Sequence, residues 1–598
     1  MPNASKMIKL LYLPLLSSLI LVGLYNQSRY PGWFTLLMAS AVVMALLLVS
    51  KIDKPSLIKV TWAAFAIVVS MAMPLFFSKM PILSFSWSFY LLAGASALLW
   101  MNLKFATTLL WALALYCLVD TFFAFYQMLH LGNTRPGGLF MDSNARAIYV
   151  LVSILFVFWQ ISDPKHSSKL KPAALWIVLV VLLAGFHSTQ SRAMLALGAL
   201  SLLALWAYAL FRAPEQRKPV LGVSIAALLG FAIFYGLFQL IPSGGLAFLN
   251  KPEGPDVRFE LWGTAWQLIK EHPFVGHGFG LFLYLYPSVR TEMGTAGHFV
   301  HNDFLEHWLA SGIPGLVLTL IPVAFFAYQF FKSFAKAQYQ QTLFAGIGLC
   351  LMGYAFFNYF FWRLENLIVM AAVWKLAEYR GDHETLVTIQ PKHKFIALLI
   401  FLLPVISLFA KVDEESTLRN NGSALSTMHS WSDWVLADES QLIPLRARWN
   451  FIQALNGKSD EIDFENFSQL IAQLDSEINR GTLFPAFYCA RAEVGYLLQE
   501  SYDTGMAYIE MSEQLDPSNI YCAYARFNLN VAHEKPDVAL EQIHGFLKKK
   551  LSMQKADAII NLNNIALEYA KKRQAEDYVG FFTQYGEYLK NRKLELGL

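Results

Sequence analysis

The sequence predicts an all-α, polytopic membrane protein that ends in a soluble helical tail, and three observations predict it. Of 598 residues, 56% are hydrophobic and only 15% charged, whereas a soluble domain carries about a quarter charged residues. Apolar runs of about twenty residues, the length that crosses a bilayer as a helix, recur from Ile8 to Ala410. After Lys411 the composition shifts to charged helical segments. Strands are not expected in the apolar runs, because an open sheet cannot satisfy its backbone in lipid. The net charge of +4 is small and gives no sign of a nucleic-acid partner.

Taken in order, spans are expected near 8–24, 32–49, 57–77, 85–101, 105–129, 145–161, 173–187, 191–211, 219–241, 308–331, 342–361, 364–379 and 395–411, about thirteen in all. The first follows Lys6 and Lys9 but has no small-x-small cleavage site before Tyr25, so it reads as an uncleaved span. With the N-terminus inside, the inner loops hold Lys51, Lys54, Lys104, Lys165, Lys169, Lys171, Arg212, Arg217, Lys218, Lys332, Lys336, Arg380, Lys392 and Lys394. The short outer loops hold fewer basic residues: Arg29, Lys79, Arg135, Arg146, Arg192 and Arg363. That bias puts a long loop at 242–307, and everything after Lys411, on the outside.

The outer loops carry the informative residues. Arg135 opens R-P-G-G-L-F-M-D-S-N, where Ser143 or Asn144 suits the cap of the next helix and Asp142 suits its dipole. Arg192 follows S-T-Q-S at the head of a span, a turn too short to hold a stray charge, so Arg192 is read as functional. Arg146 and Arg363 are read as snorkelling to lipid phosphates. The 242–307 region holds His272, His277, His298 and His301, with His307 at its end, from a chain total of 13 histidines. An aqueous loop presents titratable groups as lipid cannot. Within it, Phe259, Trp262, Trp266 and Ile269 fall at helical spacing, as in an interfacial amphipathic helix with Arg258 in its first turn. G-H-G-F-G, ending at Gly280, follows no strand, so a nucleotide site is not inferred.

The tail, 412–598, reads as a degenerate tetratricopeptide-like array. Tyr496, Gly505, Ile509, Ser512 and Pro517 fit one repeat, and Ala539 and Ile543 fit the next. Cys489 and Cys522 fall on neighbouring first helices; an oxidising compartment would permit a bridge, but buried thiols are the expectation. No CxxC or zinc spacing is present.

These marks together resemble the bacterial O-antigen ligase and polymerase superfamily, which also includes protein O-oligosaccharyltransferases. They are Arg135 through Asn144, the S-R-A of Arg192, R-x-x-x-W of Arg258 and Trp262, the glycine run, and H-N-D-F-L-E followed by G-I-P-G. The resemblance covers the middle of the membrane part. It implies an inner-membrane glycosyltransferase acting on the periplasmic face, with residues 1–411 as its membrane domain and 412–598 as a periplasmic tail. The donor it implies is a glycan on undecaprenyl pyrophosphate. The acceptor is another glycan, lipid A core or a protein hydroxyl, and H-N-D-F-L looks more like the ligase and polymerase branch.

The chemistry fits these residue types. A pyrophosphate leaving group needs its developing anion held, and planar guanidinium groups do this bidentately. Arg192 and Arg258 are the candidates, with Arg135 a third. A histidine suits removal of the acceptor proton, since its ordinary pKa of about 6.5 lies near working pH; the matching residue is His301. Asn302 and Asp303 are expected to orient His301 or the acceptor, and Asn144 to support the arginine loop. The remaining histidines are read as structural. No cofactor is expected, and a metal on His298, His301 and Asp303 is the lesser alternative. A flippase for the same carriers would want charges paired within several spans, whereas Asp120 is the chief acidic residue deep in a run.

Overall fold

The computed structural model describes residues 51–53, 101, 103–140, 142–163, 171–241, 257–289, 299–378, 386–388, 471–549 (less 473, 477, 480–482 and 484) and 556–595. Eight expected spans fall on these residues, and each is a helix. They are α1 (Leu103–Leu131), α2 (Ser143–Ser162), α3 (Pro172–Ser188), α4 (Arg192–Phe211) and α5 (Arg217–Phe238), then α8 (Asp303–Ala335), α9 (Tyr339–Phe357) and α10 (Leu364–Glu378). Between them lie α6 (Val257–Glu271) and α7 (Phe282–Val289). Among the described residues, six helices are long and apolar enough to cross a membrane; α3 and α10 are shorter. The spans expected near 8–24, 32–49, 57–77, 85–101 and 395–411 lie outside the described residues, apart from Met101.

The described residues form two compact units: one of α1–α5 and α8–α10, the other of α6, α7 and the tail helices. In the first, α2 is the hub. It is apolar on every face and buried on nearly every face, which marks a core helix. It packs against α1, α3, α4, α5 and α9. Phe156 meets Trp111 of α1 edge-on at 5.3 Å, and Trp159 meets Phe344 of α9 at 5.1 Å. The outer helices turn large apolar side chains outward, such as Leu115 and Phe122 on α1, Leu203 on α4 and Leu228 on α5. In water such a surface is unfavourable; against lipid tails it is not.

Two short strands also occur. Lys51–Asp53 (β1) pairs antiparallel with Leu386–Thr388 (β2), Lys51 opposite Thr388. Both belong to loops that the basic bias puts on the inner side, so the pairing joins stretches read as facing the same compartment.

Helix α8 starts five residues before its expected span. Asn302 caps it, its Oδ1 accepting from the Phe304 and Leu305 amides at 3.0 and 3.2 Å. The helix then breaks at Ser311 and Gly312, where Gly312 stands at φ 65°, ψ −150°, a conformation reserved for glycine. A Cβ on Gly315 would lie 2.1 Å from the His307 carbonyl oxygen. The G-I-P-G sequence therefore builds a kink, and its first glycine and last glycine are both sterically required.

In the second unit, α6 is split differently from the expectation. Phe259 and Trp266 are exposed, and Trp262 is half-buried. Ile269, expected on the same face, is buried with Leu261, Ala265 and Leu268, because this opposite stripe packs toward α7. The tail comprises α11 (Pro485–Leu497), α12 (Tyr502–Leu515), α13 (Ile520–Ala532), α14 (Pro536–Leu547), α15 (Ala556–Lys572) and α16 (Glu576–Glu595), paired as three hairpins. Each hairpin turns through one left-handed residue: Gln499, Glu534 and Gln574, at φ 59°, 56° and 57°. In each turn the next amide reaches back five residues: Glu500 to Gly495, Lys535 to Asn530, Ala575 to Ala570. That is the Schellman termination used three times. Gly505, Ile509, Ser512, Ala539 and Ile543 are buried. Cys489 and Cys522, expected as thiols, are instead bonded, joining α11 to α13 with Cα atoms 5.6 Å apart. The helices bring the two sulfurs together over the Ser512 hydroxyl, which lies 2.9 Å and 2.7 Å from them.

Candidate functional site

The first loop–helix junction forms where the R-P-G-G-L-F loop folds back along α1. Gln127 accepts from the Gly138 amide at 2.9 Å, and Asp120 accepts from the Leu139 amide at 2.6 Å. Gly138 has φ 64°, and a Cβ there would lie 2.1 Å from the Asp120 carboxylate. The second glycine of the motif is thus fixed by this close approach. Asp120 also pairs with Arg146 Nε at 2.5 Å, both side chains wholly buried, and Arg146 Nη1 donates to Ser188 at 2.8 Å. Arg146 does not snorkel. A carboxylate lies within its reach, and pairing inside the protein replaces hydration at the lipid surface. Because Asp120 also holds the loop amide, this charge pair is framework for the R-P-G-G-L-F loop.

Arg135 continues the same junction. Its Nε donates to the Thr189 carbonyl at 3.1 Å and its Nη2 to Asn144 Oδ1 at 2.7 Å. The Ser191 hydroxyl donates to that same Asn144 oxygen at 2.8 Å, and Gln190 Nε2 donates to the Thr134 carbonyl at 2.5 Å. Asn144 therefore bridges the arginine loop to the S-T-Q-S turn. It does not cap α2; Asp142 does, accepting from the Asn144 amide at 2.8 Å. Arg192, first residue of α4, is exposed just beyond this knot. Part of the Arg135 fork is committed to the fold.

The second junction is built around His301. Its backbone is left-handed at φ 56°, a rare state for a residue with a side chain. It is half-buried, and its ring meets Tyr359 at 5.3 Å. Asn302, expected to orient the imidazole or the acceptor, spends its oxygen on the helix cap. Asp303 is fully buried, and one carboxylate oxygen accepts from the Phe360 and Phe361 amides at 2.5 and 2.8 Å. Its place in the first helical turn aims it at the α9–α10 turn, away from the role expected of it. Asn366 donates to the Phe360 carbonyl at 2.9 Å and accepts from Tyr149 of α2. The turn N-Y-F-F-W-R is thereby pinned to α8 and α2 together.

That turn carries residues the sequence reading missed. Arg363, read as snorkelling, is buried: its guanidinium lies 4.7 Å over the Tyr359 ring, and its Nη2 donates to the Tyr359 hydroxyl at 2.9 Å. Burial pushes the Tyr359 phenol above its ordinary pKa, the Arg363 guanidinium pulls it back, and Asp142 pushes it up through space. Asp142 is thus near both junctions. A signal existed in the sequence, since an aromatic run ending in arginine between two spans is unusual for a plain turn.

Elsewhere, His307 bonds the Asp303 carbonyl at 2.9 Å within α8, and His277 bonds the Leu268 carbonyl at 2.8 Å, as structural histidines do. His272 lies on His277, ring centroids 4.7 Å apart. Arg258 sits half-buried in the first turn of α6, in the second unit. His298 lies outside the described residues, and among the described residues no three His, Cys, Asp or Glu side chains form a metal cluster.

Helices of this length and composition mark a multi-pass membrane protein, and the family match gives it a glycosyltransferase type. The match that gives the type its name is to the family model described as O-antigen ligase, over residues 175–320. That region, which runs from α3 into α8, supports placing the chain in the O-antigen ligase superfamily. No curated protein matches the chain.

Proposed function

We propose that the protein transfers or polymerises glycans from an undecaprenyl-pyrophosphate-linked donor onto an acceptor hydroxyl at the periplasmic face. The acceptor oxygen attacks the anomeric carbon opposite the pyrophosphate, so the configuration inverts. His301 takes the hydroxyl proton, while Arg192 and Arg258 hold the leaving pyrophosphate, with Arg135 and Asn144 shaping the loop beside Arg192. The observation that carries this reading is that one family-matched segment contains Arg192, Arg258 and His301 together. The exposure of Arg192 and the half-exposure of His301 support it, because reacting groups must meet substrate. The bonded Cys489 and Cys522 support an outer, oxidising location for the tail. The tail, a tetratricopeptide-like array on this reading, recruits the acceptor or a partner.

The test is transfer from purified lipid-linked donor by the purified chain. His301→Ala should lose about a hundredfold or more in rate with donor binding kept. Near-normal transfer by that variant removes the base. Activity lost to a chelator and restored by a divalent ion would move the chemistry to a metal.

A further inference from the structure

The α9–α10 turn, residues 358–363, lies beyond the family-matched region, which stops at residue 320. It nevertheless reaches His301. His301 is held at φ 56° directly before the cap of α8, so its backbone is fixed. A half-buried imidazole on a fixed backbone still has two free side-chain torsions. The Tyr359 ring stands against it at 5.3 Å, planes inclined by 63°, an edge contact that favours one ring orientation. Tyr359 in turn is held twice by Arg363, across its face at 4.7 Å and at its hydroxyl at 2.9 Å. The backbone beneath it is held by the Asp303 carboxylate and by Asn366. The contacts run unbroken from the turn up to the imidazole.

We infer that Tyr359 is a positioning residue for His301 and that Arg363 acts by holding Tyr359. The inference rests on His301 being the base. A general base works only when its lone pair is aimed at the proton it removes, and misplacement by about 1 Å costs on the order of a hundredfold. Ordering the imidazole in advance removes that cost from the reaction.

The experiment is steady-state transfer by the full chain, with the donor concentration varied. Tyr359→Leu, which keeps bulk and loses the aromatic edge, should lower kcat about thirtyfold with donor KM within about twofold. Tyr359→Phe keeps the ring and should recover most of that loss. Arg363→Gln should lower kcat about tenfold alone and cause no further loss in the Tyr359→Leu background, because it acts through the same ring. An unimpaired kcat in Tyr359→Leu, a loss carried by KM, or losses that multiply would overturn the proposal. If Tyr359→Leu does not fold, Tyr359→Phe combined with Arg363→Gln decides: a loss below the product of the singles supports the shared path, and a full product overturns it. His301→Ala in the same series keeps the two ideas apart. Normal transfer by that variant removes the base itself; an inactive His301→Ala beside an unimpaired Tyr359→Leu removes only the positioning.

Discussion

Arg146 and Arg192 both stand near the start of a helix on the side poorest in basic residues, yet they do opposite things. Arg146 has no exposed surface and is bound to Asp120 and Ser188. Arg192 is exposed at the head of α4. Asp120 reaches Arg146 where the Gly138 loop folds back onto α1. A guanidinium buried against such a carboxylate is framework, wherever along the chain the carboxylate comes from.

The comparison can be broken most directly at Arg146. Arg146→Ala leaves a buried carboxylate alone and should cost about 3–5 kcal/mol, read as a lowered thermal midpoint in detergent. Replacing both members, Asp120→Leu with Arg146→Leu, should regain part of that loss; a double variant worse than the single would refute the framework role. In the tail, the framework is covalent. The Cys489–Cys522 bridge, closing a separation of 33 residues, should contribute roughly 3 kcal/mol. A thiol reagent applied to the unfolded, unreduced chain should label Cys117 and Cys350 alone, and labelling of all four cysteines would place the tail in a reducing compartment. Arg192→Lys sharpens the contrast from the other side. It should leave the thermal midpoint unchanged and lower transfer about tenfold, because an ammonium lacks the bidentate fork; a shifted midpoint with normal transfer would make Arg192 framework too. The smallest effect is expected at Asn302, a cap and not a reacting group. Asn302→Ala should cost about 1 kcal/mol of stability, and a large fall in kcat at unchanged stability would return Asn302 to the chemistry.

What the sequence showed and hid follows the range of each interaction. Helix positions were legible because apolar length is a local property, and α1 through α5 stand within a few residues of expectation. The family marks within residues 175–320 were legible for the same reason: each is a short local run. Arg146 and Arg363 were misread because their partners are distant in sequence or belong to a ring face. Asp120 lies 26 residues before Arg146, and nothing local says that the intervening loop returns. Asp303 was assigned to its neighbour His301, whereas its carboxylate serves amides 57 and 58 residues away. The Cys489–Cys522 bridge depended on how two hairpins stack, which repeat spacing alone left open.

The three left-handed turns at Gln499, Glu534 and Gln574 have one more consequence. Since every hairpin closes with the same backbone, each carries its own stop signal, and no single turn depends on a glycine. Such an array is modular: a hairpin can be added or lost at its end while the others keep their shape. The length of the tail is therefore a quantity that can change by whole hairpins.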